Sequence, residues 1–396
     1  MKAVVLSLLL LTTLVGVAAA DDSSSLEFYG FVMMDAGYDV NQVDPAWFDV
    51  LRTTKLPAFE NQFGADGNTY FSVRQTRFGV RSTLPTDMGD LKTQFEWELF
   101  GVGVDAGQTT IRLRHAYGEL GKVGAGQYWS PFMDIDVFPN TVEYWGPPGM
   151  AFFRNVQLRF MPIQGDSRMT IALERPGASA DAGDFADRVE VTDVRPHFPV
   201  PDLSAEYRMG RGWGYVELAG IVRRIEWEDA GAVAGDQSGD ATGWGLNLSS
   251  NIKFRGDMDV LRLSFLYGEG VENYMNDAPA DVGLKDDPNN ANAPLKGETL
   301  PVTGIVAFLD HSWSSKLSTS IGYSSINIEN TDGATADAFK HGDYAVVNLL
   351  CTPVPNMMFG GELQYGKRTN FKDGFSSNIT KLQFSFKYNF AHSWYK

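Results

Sequence analysis

Four arginines stand at spacings that matter once the chain is extended. Arg77 and Arg81 fall in Arg74-Gln-Thr-Arg-Phe-Gly-Val-Arg81, and Arg112 and Arg114 open Arg112-Leu-Arg-His-Ala-Tyr-Gly-Glu119. Residues an even number apart share a face of a strand, so each pair projects two guanidiniums the same way. A guanidinium fork matches a carboxylate, and rings or ladders of Arg and Lys select anions. Glu96 and Glu98 share a face by the same rule, on a strand expected between the two arginine strands. Two readings follow. The arginines attract anionic solutes, or cross-strand pairing with the glutamates neutralises part of the patch and braces a wall. Arg159 joins the inward set by alternation alone, while Arg168, Arg262, Lys381 and Lys387 extend positive charge around the same face.

A second group sits in the segment Ser130 to Phe153, which contains Ser130-Pro-Phe-Met-Asp-Ile-Asp136 and Glu143-Tyr-Trp-Gly-Pro-Pro-Gly149. Proline and glycine make this stretch stiff and turn-rich. Folded into a lumen, it would form a constriction that includes Tyr144, with Asp134, Asp136 and Glu143 opposite the arginines and a field across the gap. Left outside, it would only cap the structure.

Covalent chemistry finds little support. The five histidines, His115, His197, His311, His341 and His392, are scattered, and neither G-x-S-x-G nor H-E-x-x-H occurs. Asp134-x-Asp136 alone is a very weak calcium signal. No catalytic residue, metal ligand or cofactor is therefore expected. The formal charge of −16 argues against a nucleic-acid partner. The acids concentrate in loop-like stretches such as Glu269 to Asp287, so net charge says little about any interior.

The elements that must hold these residues are strands. Along Asn378 to Phe390, Leu382, Phe384, Phe386, Tyr388 and Phe390 share one face, opposite Lys381, Gln383, Ser385 and Lys387. The same dyad recurs with Phe95, Trp97 and Leu99 against Gln94, Glu96 and Glu98, and with Ile111, Leu113 and Tyr117 against Arg112, Arg114 and Ala116. Val156, Leu158 and Phe160 oppose Asn155, Gln157 and Arg159 in turn. A charged inner face repeated this often would cost several kcal/mol per unpaired charge in a dry core, whereas a water-filled lumen removes that cost. Short connections such as Pro85–Asp90, Gly121 and Thr352–Asn356 alternate with long ones such as Asp39–Thr69, Ser130–Phe153 and Gly270–Thr299. That is the pattern of tight turns at one rim and extended loops at the other.

The expected fold is all-β: one transmembrane antiparallel β-barrel of about sixteen strands, with short periplasmic turns, long external loops and one loop folded into the lumen. Residues 1–20 are expected to be a secretory signal peptide, with Lys2, an apolar run to Val17 and Ala18-Ala19-Ala20 before a polar Asp21, leaving 21–396 as a single barrel domain. The rival reading is an uncleaved anchor. No later run approaches the roughly 18 apolar residues of a membrane helix, and a mean hydropathy of −0.19 is what two-faced strands average to. A lone cysteine, Cys351, excludes an internal disulfide framework.

These observations describe an outer-membrane pore, in contact with membrane lipid, for passive diffusion of small hydrophilic solutes. Anion preference and a general or sugar-selective pore, with Tyr144 and Trp145 stacking solutes, stand as alternatives. An outer-membrane enzyme with a plugged barrel and a secreted soluble sandwich are the rivals from other classes. Gly126-Gln-Tyr-Trp-Ser-Pro-Phe132, Phe138-Pro-Asn140 and Gly146-Pro-Pro148, together with the two arginine motifs, resemble the DcaP-like porins, most strongly over about residues 70–160. The resemblance implies a sixteen-stranded homotrimeric outer-membrane channel favouring small anions, notably dicarboxylates, through constriction arginines, here Arg77, Arg81, Arg112 and Arg114. Outer-membrane barrels usually end in an aromatic residue, commonly Phe; this chain continues past Phe390 as Ala-His-Ser-Trp-Tyr-Lys396.

Overall fold

The computed structural model describes residues 24–231, 236–256 and 258–395; the expected signal peptide lies outside them. Two-faced segments pair with their neighbours until the sheet closes on itself. In chain order the sixteen barrel strands begin with β1 (Ser25–Asp39), β2 (Arg77–Thr86), β3 (Gly89–Phe100), β4 (Thr109–Leu120) and β5 (Val123–Trp129). They continue as β6 (Arg154–Ile163), β7 (Arg168–Glu174), β8 (Asp202–Arg211), β9 (Gly214–Asp229), β10 (Gly239–Phe254) and β11 (Asp259–Glu269). The remainder are β12 (Pro301–Ser312), β13 (Leu317–Ile328), β14 (Phe339–Cys351), β15 (Met357–Asn370) and β16 (Ser376–Tyr395).

Each strand is antiparallel to the next, and β1 pairs with β16 from Ser25↔Tyr395 to Asp39↔Lys381, which closes the ring. Closure satisfies every edge, the condition for spanning lipid with strands. Among the described residues no helix is long and apolar enough to cross a membrane. The turns after β2, β4, β6, β8, β10, β12 and β14 are short and share a rim with both chain ends; the intervening connections lie on the opposite rim and are longer, apart from 371–375 between β15 and β16. We call the loops L1 (between β1 and β2), L2 (β3–β4), L3 (β5–β6) and L6 (β11–β12).

The outer surface carries the apolar half of the dyad. Leu382, Phe384, Leu248, Phe265 and Phe160 are all exposed, as a lipid-facing belt requires. Two local departures re-aim side chains. A β-bulge shifts register on β4, with Glu96 opposite His115 but Trp97 opposite Leu113. The extra residue puts Arg114 and His115 both inside and reverses the alternation beyond them, so Tyr117, expected toward lipid, is buried inward. The second departure is a turn at Val73–Thr76, which splits the lane beside β1 into Asn68–Ser72 and β2. The expected second strand therefore starts at Arg77, and Arg74, Gln75 and Thr76 turn inward and are buried.

The loop-side half of the barrel is filled by its own loops. Phe132, Met133 and Ala151 of L3 pack with Val271, Tyr274 and Met275 of L6 against Leu266, Val302 and Ile326 on the inner wall. Val43, Leu51 and Leu56 of L1 pack with Val137 and Met150 against Val306, Phe308, Tyr344 and Val346. The inner faces of β12, β13 and β14 are accordingly apolar on their loop-side halves, an exception to the polar-inside pattern that follows from what they hold.

Candidate functional site

L3 crosses the lumen and is fastened at successive points around the wall. The carboxylate of Asp134 caps the short helical turn Ile135–Val137 and accepts from Tyr215 and Ser249, each at 2.6 Å, across the barrel on β9 and β10. Asn348 on β14 donates to the Asn140 carbonyl at 2.8 Å, and the Val142 and Glu143 amides donate to Glu362 on β15 at 2.9 and 3.0 Å. Gly149 runs against β12 and β13 so closely that a Cβ there would lie 2.2 Å from the Ser325 carbonyl oxygen. Only glycine fits such an approach.

On the near wall, β2, β3 and β4 present the predicted arginine cluster. Glu98, fully buried, accepts from Arg77 at 3.1 Å, from Arg114 at 2.7 Å and from Arg112 at 3.0 Å through Nε. Glu96 accepts from Arg114 at 2.6 Å and from Tyr29 at 2.9 Å, and it lies 3.8 Å from Arg77. Tyr144 of L3 reaches the same cluster, its hydroxyl accepting from Arg112 and donating to Glu98. The two glutamates therefore stand behind the arginines and fix them, while Arg77 and Arg112 keep roughly a fifth of their side-chain surface open to the lumen. Bracing and attraction are not exclusive here, because a carboxylate holding three guanidiniums cannot neutralise all three.

Beside this wall and against L3 is a cavity of about 700 Å³ whose lining runs from Val102 and Gly103 in L2 to Met358 and Lys387 near the turn rim. It is bordered by Arg77, Arg112 and Arg114 and by two further cations, Arg154 at the start of β6 and Lys387 on β16. Sequence alternation had missed Arg154, since Asn155, Gln157 and Arg159 are the buried inner set. Arg154 emerges directly from the loop, and its guanidinium turns over Trp129 at 5.1 Å and Phe152 at 5.9 Å. Among the described residues it makes no ion pair or hydrogen bond, and Lys387 makes none beyond its seat 4.1 Å over the Phe31 ring. Arg52 of L1 also borders the cavity, but it is held between Trp47 and Trp145 and paired with Asp277 of L6 at 2.9 Å.

The other candidates lie elsewhere. Arg81 sits toward the turn rim, more than half exposed and paired with Glu27. Asp134 and Asp136 face away from the arginine wall, to Arg208 on β8 at 2.7 and 2.6 Å. Glu143 borders the cavity, yet its carboxylate is buried, accepting from the Leu51, Trp145 and Gly146 amides and from the Tyr344 hydroxyl. That burial pushes its carboxyl above the usual carboxylate range, against the lowering effect of those donors. Arg159 is inward but on the far side of Trp129 from the cavity, with its Nε and Nη2 on Gln157. Arg168 and Arg262 are paired with Glu206 and Asp310, and Lys381 is buried against Asp39 at 2.6 Å. Arg208 and Arg223, which the sequence reading passed over, carry the inner charge of β8 and β9 and are bound by acids as well.

The arrangement can attract, orient and size-select an anion. Among the described residues no group of His, Cys, Asp and Glu is placed to hold a metal ion.

Comparison with known proteins gives the same outline. Residues 11–390 match the DcaP outer membrane protein family. The crystal structure of the outer membrane channel DcaP of Acinetobacter baumannii superimposes with a TM-score of 0.78 at 20% identity, covering 94% of this chain and all of that one. The anion-selective porin from Comamonas acidovorans follows at TM-score 0.56 and 12% identity, covering 93% of this chain and 100% of that one. Outer-membrane expressed OmpT of Vibrio cholerae gives 0.56 at 11%, with 93% and 99% covered. No curated protein matches the sequence.

Proposed function

The chain belongs to the DcaP outer membrane protein family and has the fold of an outer-membrane channel, and from that premise we propose passive diffusion of small hydrophilic solutes with a preference for anions, small mono- and dicarboxylates above all. The observation that carries the preference is the lining of the cavity beside the arginine wall. Arg77, Arg112 and Arg114 share two glutamates, and Arg154 and Lys387 have no acid partner among the described residues. Positive charge gathered against low-dielectric walls raises the local anion concentration without any covalent step. The tight seat of L3 sets the size limit, and the arginine forks favour planar carboxylates.

A neutral-sugar pore is the second reading. It needs open aromatic faces, and those of L3 are occupied. Tyr144 stacks on Phe100 at 4.2 Å, and Trp145 is covered by Arg52 at 4.1 Å and meets Trp47 edge-on. The deciding experiment is reconstitution of the purified barrel. A reversal potential of anion-selective sign in a KCl gradient, with liposomes swelling faster in succinate than in a neutral sugar of similar size, supports the proposal. A cation-selective or unselective channel with equal swelling rates sinks it. Assembly as a homotrimer and removal of residues 1–20 belong to the same proposal; they predict a threefold mass by native mass spectrometry and a mature chain that starts at Asp21.

A further inference from the structure

We infer that the pore holds a second anion station on the periplasmic side of L3, built on Arg159 and distinct from the arginine wall. It rests on the anion-uptake reading above and adds to it a second position for the same carboxylate solutes. A separate cavity of about 290 Å³ lies there, bordered by Arg159 and Arg168, by Ser130, and by Gln164 and Gly165 of the short β6–β7 turn. That turn belongs to the rim that carries the chain ends, so this chamber opens opposite the loops.

The charges in this chamber are unevenly spoken for. Glu206 takes Arg168 at 3.2 Å and Thr170 at 2.8 Å. Glu119 takes Lys92 at 3.4 Å and Tyr117 at 3.1 Å. Among the described residues, Arg159 is the cation of this chamber left without a carboxylate within ion-pair distance. Its Nε and Nη2 donate to Gln157 Oε1 at 3.0 and 2.8 Å, Nη2 also reaches the Trp129 carbonyl, and the group lies over the rings of Tyr128 and Tyr117. These contacts pin the plane of the guanidinium and leave Nη1 without a protein acceptor among the described residues. A pinned guanidinium with one free edge is pre-organised for a carboxylate oxygen, since the ordering cost has been met in the fold.

The two chambers meet at L3. Ile135 borders both. The ring of Trp129 faces Arg114 at 5.4 Å and Arg154 at 5.1 Å, while its carbonyl accepts from Arg159. A dicarboxylate slipping past Trp129 and Ile135 therefore exchanges one guanidinium for the next instead of entering bulk water fully charged. Arg159 acts as a positioning residue for exit.

The test is single-channel recording with sodium succinate as the probe, the protein being added to one chamber so that channels insert in one orientation. Arg159→Gln is expected to shorten the residence of succinate presented at the turn-side rim about fivefold, as for the loss of one charge-assisted hydrogen bond in a wet site. Residence from the loop side is expected to change less than about twofold, and Arg159→Lys to keep most of the turn-side residence. Equal shortening from both sides, or Arg159→Gln behaving as wild type, overturns the second station. A wild-type channel without anion preference overturns this inference together with the proposed function. A selective wild type with a silent Arg159 overturns the inference alone.

Discussion

Arg154 and Lys387 allow a clean perturbation, because among the described residues neither has an acid partner to strand when it is replaced. The double variant Arg154→Gln, Lys387→Gln removes two positive charges from the cavity and leaves the Glu96–Glu98 lattice with Arg77, Arg112 and Arg114 as it was. A unit charge about 6 Å from the solute path attracts a monovalent anion by roughly 0.7 kcal/mol in water, and by about half that once 0.1 M salt screens it. Each such charge then raises anion occupancy by about 1.8-fold and lowers cation occupancy equally, so two charges are worth about tenfold in the permeability ratio. The assay is the reversal potential across a planar bilayer in a KCl gradient near 0.1 M (on the order of one Debye length of 10 Å). At about 1 M salt the Debye length shrinks to about 3 Å, and the difference between wild type and variant should fall below about twofold. An unchanged ratio at low salt, or an equal change at both salt concentrations, would refute the electrostatic reasoning.

Other outcomes follow from the same geometry. Glu98→Ala leaves three guanidiniums without their shared acceptor; lumen water softens the cost below that of a dry pair, to about 2 kcal/mol, read as a lower temperature for loss of the heat-modifiable folded band in gels. Arg52→Ala and Asp277→Ala each release the clasp in which Asp277 accepts from Arg52, Thr53 and Thr54, so each should raise conductance and current noise. The double variant should do less than the sum of the two single ones, since they share the Arg52–Asp277 pair; fully additive effects would show that the clasp is not a unit. Glu143 supplies a pH dependence of known sign. Its carboxyl, raised by burial, takes up a proton in the folded chain before it does in the unfolded one, so its contribution to stability grows as pH falls from neutral toward the ordinary value near 4.3. Glu143→Gln should flatten that part of the melting-temperature profile, and an unaltered slope would show that another group carries it.

Much of this was legible in the sequence, for a definite reason. The lipid-facing dyad and the alternation of short with long connections are both imposed by the membrane, residue by residue and rim by rim. About sixteen strands could be counted from the dyad and the connections, closure followed from the need to leave no strand edge in lipid, and parity set Arg77, Glu96, Glu98, Arg112 and Arg114 on the inner face. Parity failed where something interrupts it. The bulge at Arg114 turned Tyr117 inward, and Arg154 escaped notice because it stands at the junction of loop and strand, where the loop and not the pleat aims the side chain. The apolar inner faces of β12 to β14 have no reading as strands in isolation; they become intelligible only with L1, L3 and L6 seated on them. The directions of Asp134, Asp136 and Glu143 were equally hidden, since partners on β8, on β14 and in L1 lie far away along the chain.

The fastening of L3 also orders events during biogenesis. Its middle is tied to Glu362 of β15, and the Gln383 side chain of β16 donates to the Val142 carbonyl at 3.1 Å. L1 is likewise tied to the last strand, where Lys381 donates to the Phe48 carbonyl at 2.8 Å. Segments made early thus wait for anchors made last, contacts of the longest sequence separation that form slowest. L3 and L1 can therefore lock only once β15 and β16 are in place, which makes the narrowing of the lumen a late step that accompanies or follows closure of the ring.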